Sequence, residues 1–157
     1  MASQNVNALK LDPNLAHAHA TIGLGKIYAG RAQETEAHIG EALRLSPRDA
    51  MAYLWMSWAG IAKNYLGSYE QAVSWFRRAI EANRNYPHPH FVLGVALALL
   101  GRLDEARSAV KAGLALNPGY SISRARAAYA AMSDDPTHLA QLERLLEGQR
   151  KAGVPEL

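Results

Sequence analysis

Ala42-Leu43-Arg44-Leu45-Ser46-Pro47 and Gly113-Leu114-Ala115-Leu116-Asn117-Pro118 end two stretches of this chain in the same way. Each has a small residue, two leucines spaced by one position, a polar residue and a proline. Ala8-Leu9-Lys10-Leu11-Asp12-Pro13 is a third copy. Pro13 and Pro47 lie 34 residues apart, and Pro47 and Pro118 lie 71 apart, which is two such periods plus three. The terminus expected between them is Ala79-Ile80-Glu81-Ala82-Asn83-Arg84, with Arg84 in the place of proline. A fixed period of this length marks stacked supersecondary units, each too small to bury its apolar face alone.

The bodies of the units align as well. Ile22-Gly23 corresponds to Met56-Ser57 and to Leu93-Gly94. Gly30, Gly67 and Gly101 follow as turns. Then come Thr35, Ala72 and Ala106, and after them Ile39, Phe76 and Val110. Apolar spacing on either side of each glycine turn predicts two amphipathic helices per unit. First helices are expected over 15–29, 49–66, 87–100 and 119–132, and second helices over 33–45, 69–82, 103–116 and 136–151. Gly23 and Gly94 fall mid-helix, where glycine costs about 1 kcal/mol against alanine. Close approach of a neighbouring helix is the expected compensation. Pro47 and Pro118 stop the helices before them.

An aromatic, then Leu-Gly, then Tyr, then Ala-x3-Phe, then Pro over 34 residues is the tetratricopeptide-repeat pattern, and the chain resembles it from Ala8 to Met132. The leading aromatic is replaced by His19, Tyr53 or His90, and the Tyr position holds Lys26, Gly60 or Leu97. The resemblance implies an all-α fold, a right-handed superhelical stack of antiparallel helix hairpins. Residues 1–157 then form a single domain: a partial repeat at 1–13, repeats at 14–47, 48–84 and 85–118, and a degenerate repeat with a C-terminal cap at 119–157. The three extra residues are expected near Lys63-Asn64-Tyr65. They would lengthen the 49–66 helix by a turn, either as plain length variation or as an overhang that touches a partner. Val6 to Pro13 fits only the end of a second helix, so the chain is expected to be a fragment of a longer one. At the other end, Asp135 caps and Pro136 opens a last helix, closed by Gly153 and Pro155. Ser133-Asp134-Asp135-Pro136-Thr137-His138 and the residues after Glu147 resemble the tetratricopeptide tail of bacterial class III adenylate/guanylate cyclases or winged-helix regulators. That likeness implies a signalling parent.

The composition narrows the function. With 49% apolar and 20% charged residues the chain is a folder and not a disordered segment. It has no cysteine, hence no disulfide and no thiolate chemistry. Its net charge of +3 gives little support to nucleic-acid binding. No apolar run reaches a membrane span, and Met1-Ala2-Ser3-Gln4-Asn5 lacks the features of a signal peptide, so a cytoplasmic location is expected. No nucleophile elbow, phosphate loop or zinc signature is present, so neither an enzyme nor a cofactor or metal site is expected. His17-x-His19 and His88-x-His90 are i, i+2 pairs, which diverge around a helix. Asp134-Asp135 reads as a cap. Arg77-Arg78 and Arg124-x-Arg126 read as a solvated face.

The resemblance implies that the first helices line a concave groove. Carried across by position, its surface comprises His17, Ala20, Leu24, Ile27 and Tyr28 in the first repeat. The second contributes Met51, Leu54, Trp58, Ile61 and Ala62, and the third His88, Phe91, Val95, Ala98 and Leu99. The well-known carboxylate clamp of the family would fall on Ala20, Leu24, Trp55, His88 and Val92, none of which supplies the charge-assisted bonds it needs. The groove is apolar. Either it is ordinary core, or it is covered by a partner's segment, by an upstream part of the same chain, or by a second copy. The expected function is a non-catalytic interaction module, the regulatory or scaffolding part of a bacterial signalling protein. The alternative is a homo-oligomerisation unit.

Overall fold

Gly30, Gly67 and Gly101 adopt φ of 73°, 75° and 80°. Behind each, the next residue donates its N–H five residues back: Arg31 to Lys26 at 2.8 Å, Ser68 to Lys63 at 2.9 Å and Arg102 to Leu97 at 2.8 Å. This helix ending needs a left-handed residue, which glycine supplies at no steric cost. The chain reverses at each one. The computed structural model describes residues 15–157, so the partial repeat expected over 1–13 lies outside the described residues.

Three hairpins result. Helix α1 (Ala16–Tyr28) pairs with α2 (Thr35–Leu45), α3 (Ala52–Tyr65) with α4 (Tyr69–Ala82), and α5 (His88–Leu99) with α6 (Leu103–Leu116). A 3-10 turn, Ala32–Glu34, leads into α2. Helices α7 (Ile122–Ala130) and α8 (Pro136–Ala152) follow, and no strand occurs among the described residues. The second helices expected over 69–82 and 103–116 have those bounds. None of the described helices is long and apolar enough to cross a membrane.

Each hairpin closes on a glycine. A Cβ on Gly23 would lie 3.5 Å from Ile39, one on Gly60 would clash with the Phe76 ring, and one on Gly94 would stand 2.9 Å from Val110. Missing side chains let the paired helices approach, which is what balances the helix-propensity cost. Gly60, not Ser57, is therefore the counterpart of Gly23 and Gly94. Gly60 stands seven residues before Gly67, as Gly23 does before Gly30 and Gly94 before Gly101. The expected insertion near Lys63-Asn64-Tyr65 is corrected accordingly. The extra residues lie upstream, in the approach to α3 and its first turn, and no overhang forms at its far end. In the approach to α3, Asp49 ties the linker: its side chain accepts the Met51 N–H at 2.9 Å and meets the Ser46 hydroxyl at 3.1 Å.

Neighbouring hairpins are joined by apolar packing and a few buried polar bonds. Trp55 is fully buried in a cluster with Ala20, Ile39 and Ala42. Asn64 donates to the Val92 carbonyl at 3.0 Å, while within the first hairpin Thr35 donates to the Gly23 carbonyl at 2.8 Å. Lys63 pairs with Glu36 at 2.6 Å, and the Trp75 indole donates to the same carboxylate at 3.2 Å. Phe76 and Phe91 are fully buried, and burial of such a side chain stabilises by about 1.5–3 kcal/mol.

The C-terminal hairpin departs from the expected stacking. A fourth repeat would set its first helix against α6. Instead α8 packs most extensively on α5 and reaches α3, while α7 packs mainly on α8. Gly148 on α8 makes this possible, since a Cβ there would lie 2.7 Å from Val95 and 3.2 Å from Leu99. The far end of α8 places His138 against the rings of Tyr28 and Tyr65. Arg144 donates to the Tyr65 carbonyl at 3.3 Å, satisfying one of the orphan acceptors at the end of α3. The chain then turns at Gly153, and its last residues return to α7. Ile122 and Ser123 donate to the Pro155 and Glu156 carbonyls at 2.8 and 3.0 Å. The hairpin is folded back over the concave side of the stack.

Candidate functional site

Helix α8 covers the third-repeat end of the groove. Val95 is fully buried beneath it, and Phe91 is fully buried under Tyr120. The two rings stack with centroids 3.7 Å apart and 10° between planes. Tyr120 is held in turn by Gln149 of α8, whose amide donates to the phenol oxygen at 2.5 Å.

Helix α7 bridges the remainder and leaves a cleft of about 410 Å³. Leu24 and Tyr28 of α1 and Trp58 and Ile61 of α3 form one side. Ala125, Ala128 and Tyr129 of α7 and Met132 just beyond it form the other. Those four, with Arg124, recur at i, i+1, i+4, i+5 and i+8, which is one helical face. Tyr86 and His88 line it from the start of the third repeat, and Arg124 stands at the exposed rim.

The polar groups of the cleft are mostly neutral. His88 and the Tyr129 hydroxyl share a hydrogen bond. Burial pushes the His88 imidazole down to about 4 and the Tyr129 phenol well above its usual value. Desolvation also raises the phenols of Tyr28 and Tyr86. All three tyrosines stay protonated near neutrality. Arg124 donates to the Gly119 carbonyl at 3.0 Å. No aspartate or glutamate is among the lining residues. Among the described residues no group of three or more His, Asp or Glu converges as a metal site would require.

The sequence-predicted groove residues divide into three sets. Leu24, Trp58, Ile61 and His88 come together in the cleft. Ile27, Phe91 and Val95 are buried in the core. His17, Met51 and Leu54 lie apart from the cleft: His17 is exposed 6.3 Å from the Trp55 ring, Met51 is exposed before α3, and Leu54 is half-buried beside Trp55. The corrected register explains part of this. With Gly60 aligned on Gly23, the second-repeat equivalents of His17, Ala20 and Leu24 are Leu54, Ser57 and Ile61, and Met51 has no counterpart. The α7 side of the cleft was not expected, because a helix read as a fourth stacked repeat would not face α1. Its signal was the stripe from Arg124 to Met132.

Two tetratricopeptide-repeat family models match the chain, over residues 20–88 and 65–132. A comparison with curated proteins finds no match. Among solved structures, MamA is similar at 20% identity and a TM-score of 0.68, covering 96% of this chain and 87% of that one. PilW, a widely conserved type IV pilus biogenesis factor, is similar at 19% identity and a TM-score of 0.71, covering 92% and 67%. YrrB, described as a tetratricopeptide protein with an unusual peptide-binding site, is similar at 25% identity and a TM-score of 0.62, covering 95% and 76%. The glycine turns, the hairpin closures and both family matches agree: the chain is built of tetratricopeptide repeats.

Proposed function

We propose that the chain is a non-catalytic protein-interaction module that holds a short partner segment in the cleft between α1, α3 and α7. The observation that carries this is the cleft itself: a concave, aromatic-lined space beside half-buried Leu24 and Trp58, left where α8 does not fill the groove. Concave apolar surfaces with a few polar groups are where segments dock. The peptide-binding site named for YrrB lends support from a similar fold. The tail resemblance supports a finer reading, a regulatory or scaffolding part of a larger bacterial signalling protein working in the cytoplasm. An upstream reading frame that encodes neither a cyclase nor a DNA-binding domain would remove that finer reading.

The test is a labelled sample titrated with peptides selected against the chain. Shifts confined to the cleft, and affinity lost on Trp58→Ala with the fold retained, are expected. Undiminished binding by Trp58→Ala would sink the proposal. The alternative, a homo-oligomerisation unit, draws on Leu103 and Leu116, which α6 leaves exposed among the described residues. Light scattering that finds a monomer across the micromolar range would remove it.

A further inference from the structure

We infer that the segment held in the cleft is acidic: a large apolar side chain seated on Leu24 and Trp58, with a neighbouring aspartate or glutamate on Arg124. This rests on the reading of the cleft as a peptide site.

Apolar floor alone would accept almost any hydrophobic segment. The rim is more selective. With His88 neutral, Arg124 is the one cation among the described residues lining the cleft, and it meets no carboxylate there. Its hydrogen bond to the Gly119 backbone carbonyl leaves most of its five N–H donors for a ligand. The nearby acids are engaged elsewhere: Glu143 pairs with Arg126, and Glu147 and Glu156 pair with Arg150. The hydroxyls of Tyr28 and Tyr86 have no hydrogen bond among the described residues, and burial keeps both protonated. They are donors open to a ligand in the cleft. A guanidinium at the rim of a cleft that also holds uncharged phenol donors matches a carboxylate, by charge-assisted bonds.

The aromatic lining invites an opposite idea, that the cleft cages a lysine or a quaternary ammonium. Such a cation would find no counter-ion and would face Arg124. Like charges brought into a desolvated cleft repel. The carboxylate is assigned to an internal side chain and not to a chain terminus. Terminal carboxylates are gripped by several convergent donors of charge, and Arg124 stands by itself.

The experiment is selection of phage-displayed random heptapeptides, each internal to its coat fusion, against the chain and against Trp58→Ala. Trp58-dependent binders are expected to carry Asp or Glu within a position or two of a large apolar residue. The best binder, synthesised with both ends blocked, is expected to weaken about ten-fold or more on Arg124→Gln and on replacement of its acid by the amide. Its affinity is also expected to fall with added salt. Arg124 is exposed, and thermal unfolding of Arg124→Gln is measured to establish that the fold is intact. Trp58-dependent binders without acid enrichment, or an Arg124→Gln affinity within about two-fold of the parent, would overturn the inference and leave the cleft as a binding site. No Trp58-dependent binder at all would overturn both. Tighter binding of the free-acid peptide than of the blocked one, by about ten-fold, would overturn the assignment to a side chain.

Discussion

His138 of α8 stands edge-on to the ring of Tyr28 on α1, with centroids 5.3 Å apart at 76°. The last helix thereby touches the first described one. His138 is fully buried, and its Nε2 bonds the Tyr129 carbonyl at 3.0 Å. His138→Ala removes a ring from between two tyrosines and orphans a buried carbonyl. A loss of about 2–4 kcal/mol is expected. Hydrogen exchange should speed first in α7 and α8. Uniform acceleration over all helices would contradict the docking described here.

Phe91 and Trp58 answer to different assays. Phe91 is 0% exposed, so Phe91→Ala is expected to cost about 3–5 kcal/mol of stability. Trp58 is half-buried in the cleft, and Trp58→Ala should cost less while abolishing cleft binding. Urea unfolding ranks the two, and an equal loss in both would mean Trp58 is core.

Two glycines predict opposite signs. A Cβ on Gly60 would fall within 2.8 Å of three Phe76 ring atoms, and Gly60→Ala should destabilise by about 1–3 kcal/mol. Gly40 lies in α2 with nothing within 4 Å. Gly40→Ala should stabilise by about 0.5–1 kcal/mol. Melting points of the two variants on opposite sides of the parent are the expected result.

Acid should weaken the fold through His88. Its imidazole sits at about 4 instead of 6.5 because burial disfavours the charged form. Between those values the unfolded chain binds a proton that the folded chain refuses. The contribution is fully present above about pH 6.5 and is lost as pH falls towards 4. Urea unfolding at pH 7.5 and 4.5 should show a smaller difference for His88→Phe than for the parent. Glu36, whose carboxyl is lowered by Lys63, loses its contribution at lower pH in both proteins and cancels in the comparison.

Asp135 caps α8 by accepting the N–H groups of Thr137 and His138 at 2.9 and 3.0 Å. Asp135→Ala should cost about 1 kcal/mol. An unchanged unfolding midpoint would count against the cap.

The hairpins were legible because their physics is local. A proline two residues beyond a second helix and a glycine two residues beyond a first helix mark where helices must stop. Asp135-Pro136 marks where one must start. The second-repeat register was harder. Ser57 and Gly60 are both small; the seven-residue spacing to the turn glycine favours Gly60, and the Phe76 ring against it settles the matter. The direction of the last hairpin was not legible. The apolar stripe of Leu142, Leu145 and Leu146 reads the same whether it packs on α6 or folds across α5. Gly148 was the discriminating residue, a gap in α8 shaped for Val95 and Leu99. The cleft inherits this: its α1 and α3 side was foreseen, and its α7 side depends on a fold-back that no periodicity encodes.

On the proposed reading of the cleft, that fold-back would act as a sieve on partner length. Helix α8 is tethered to the groove it occupies by two short linkers, 117–121 and 131–135. A tethered occupant competes at an effective concentration on the order of millimolar. A long helical partner that needs Val95 and Leu99 must first evict it, whereas a segment short enough for the cleft meets no competitor.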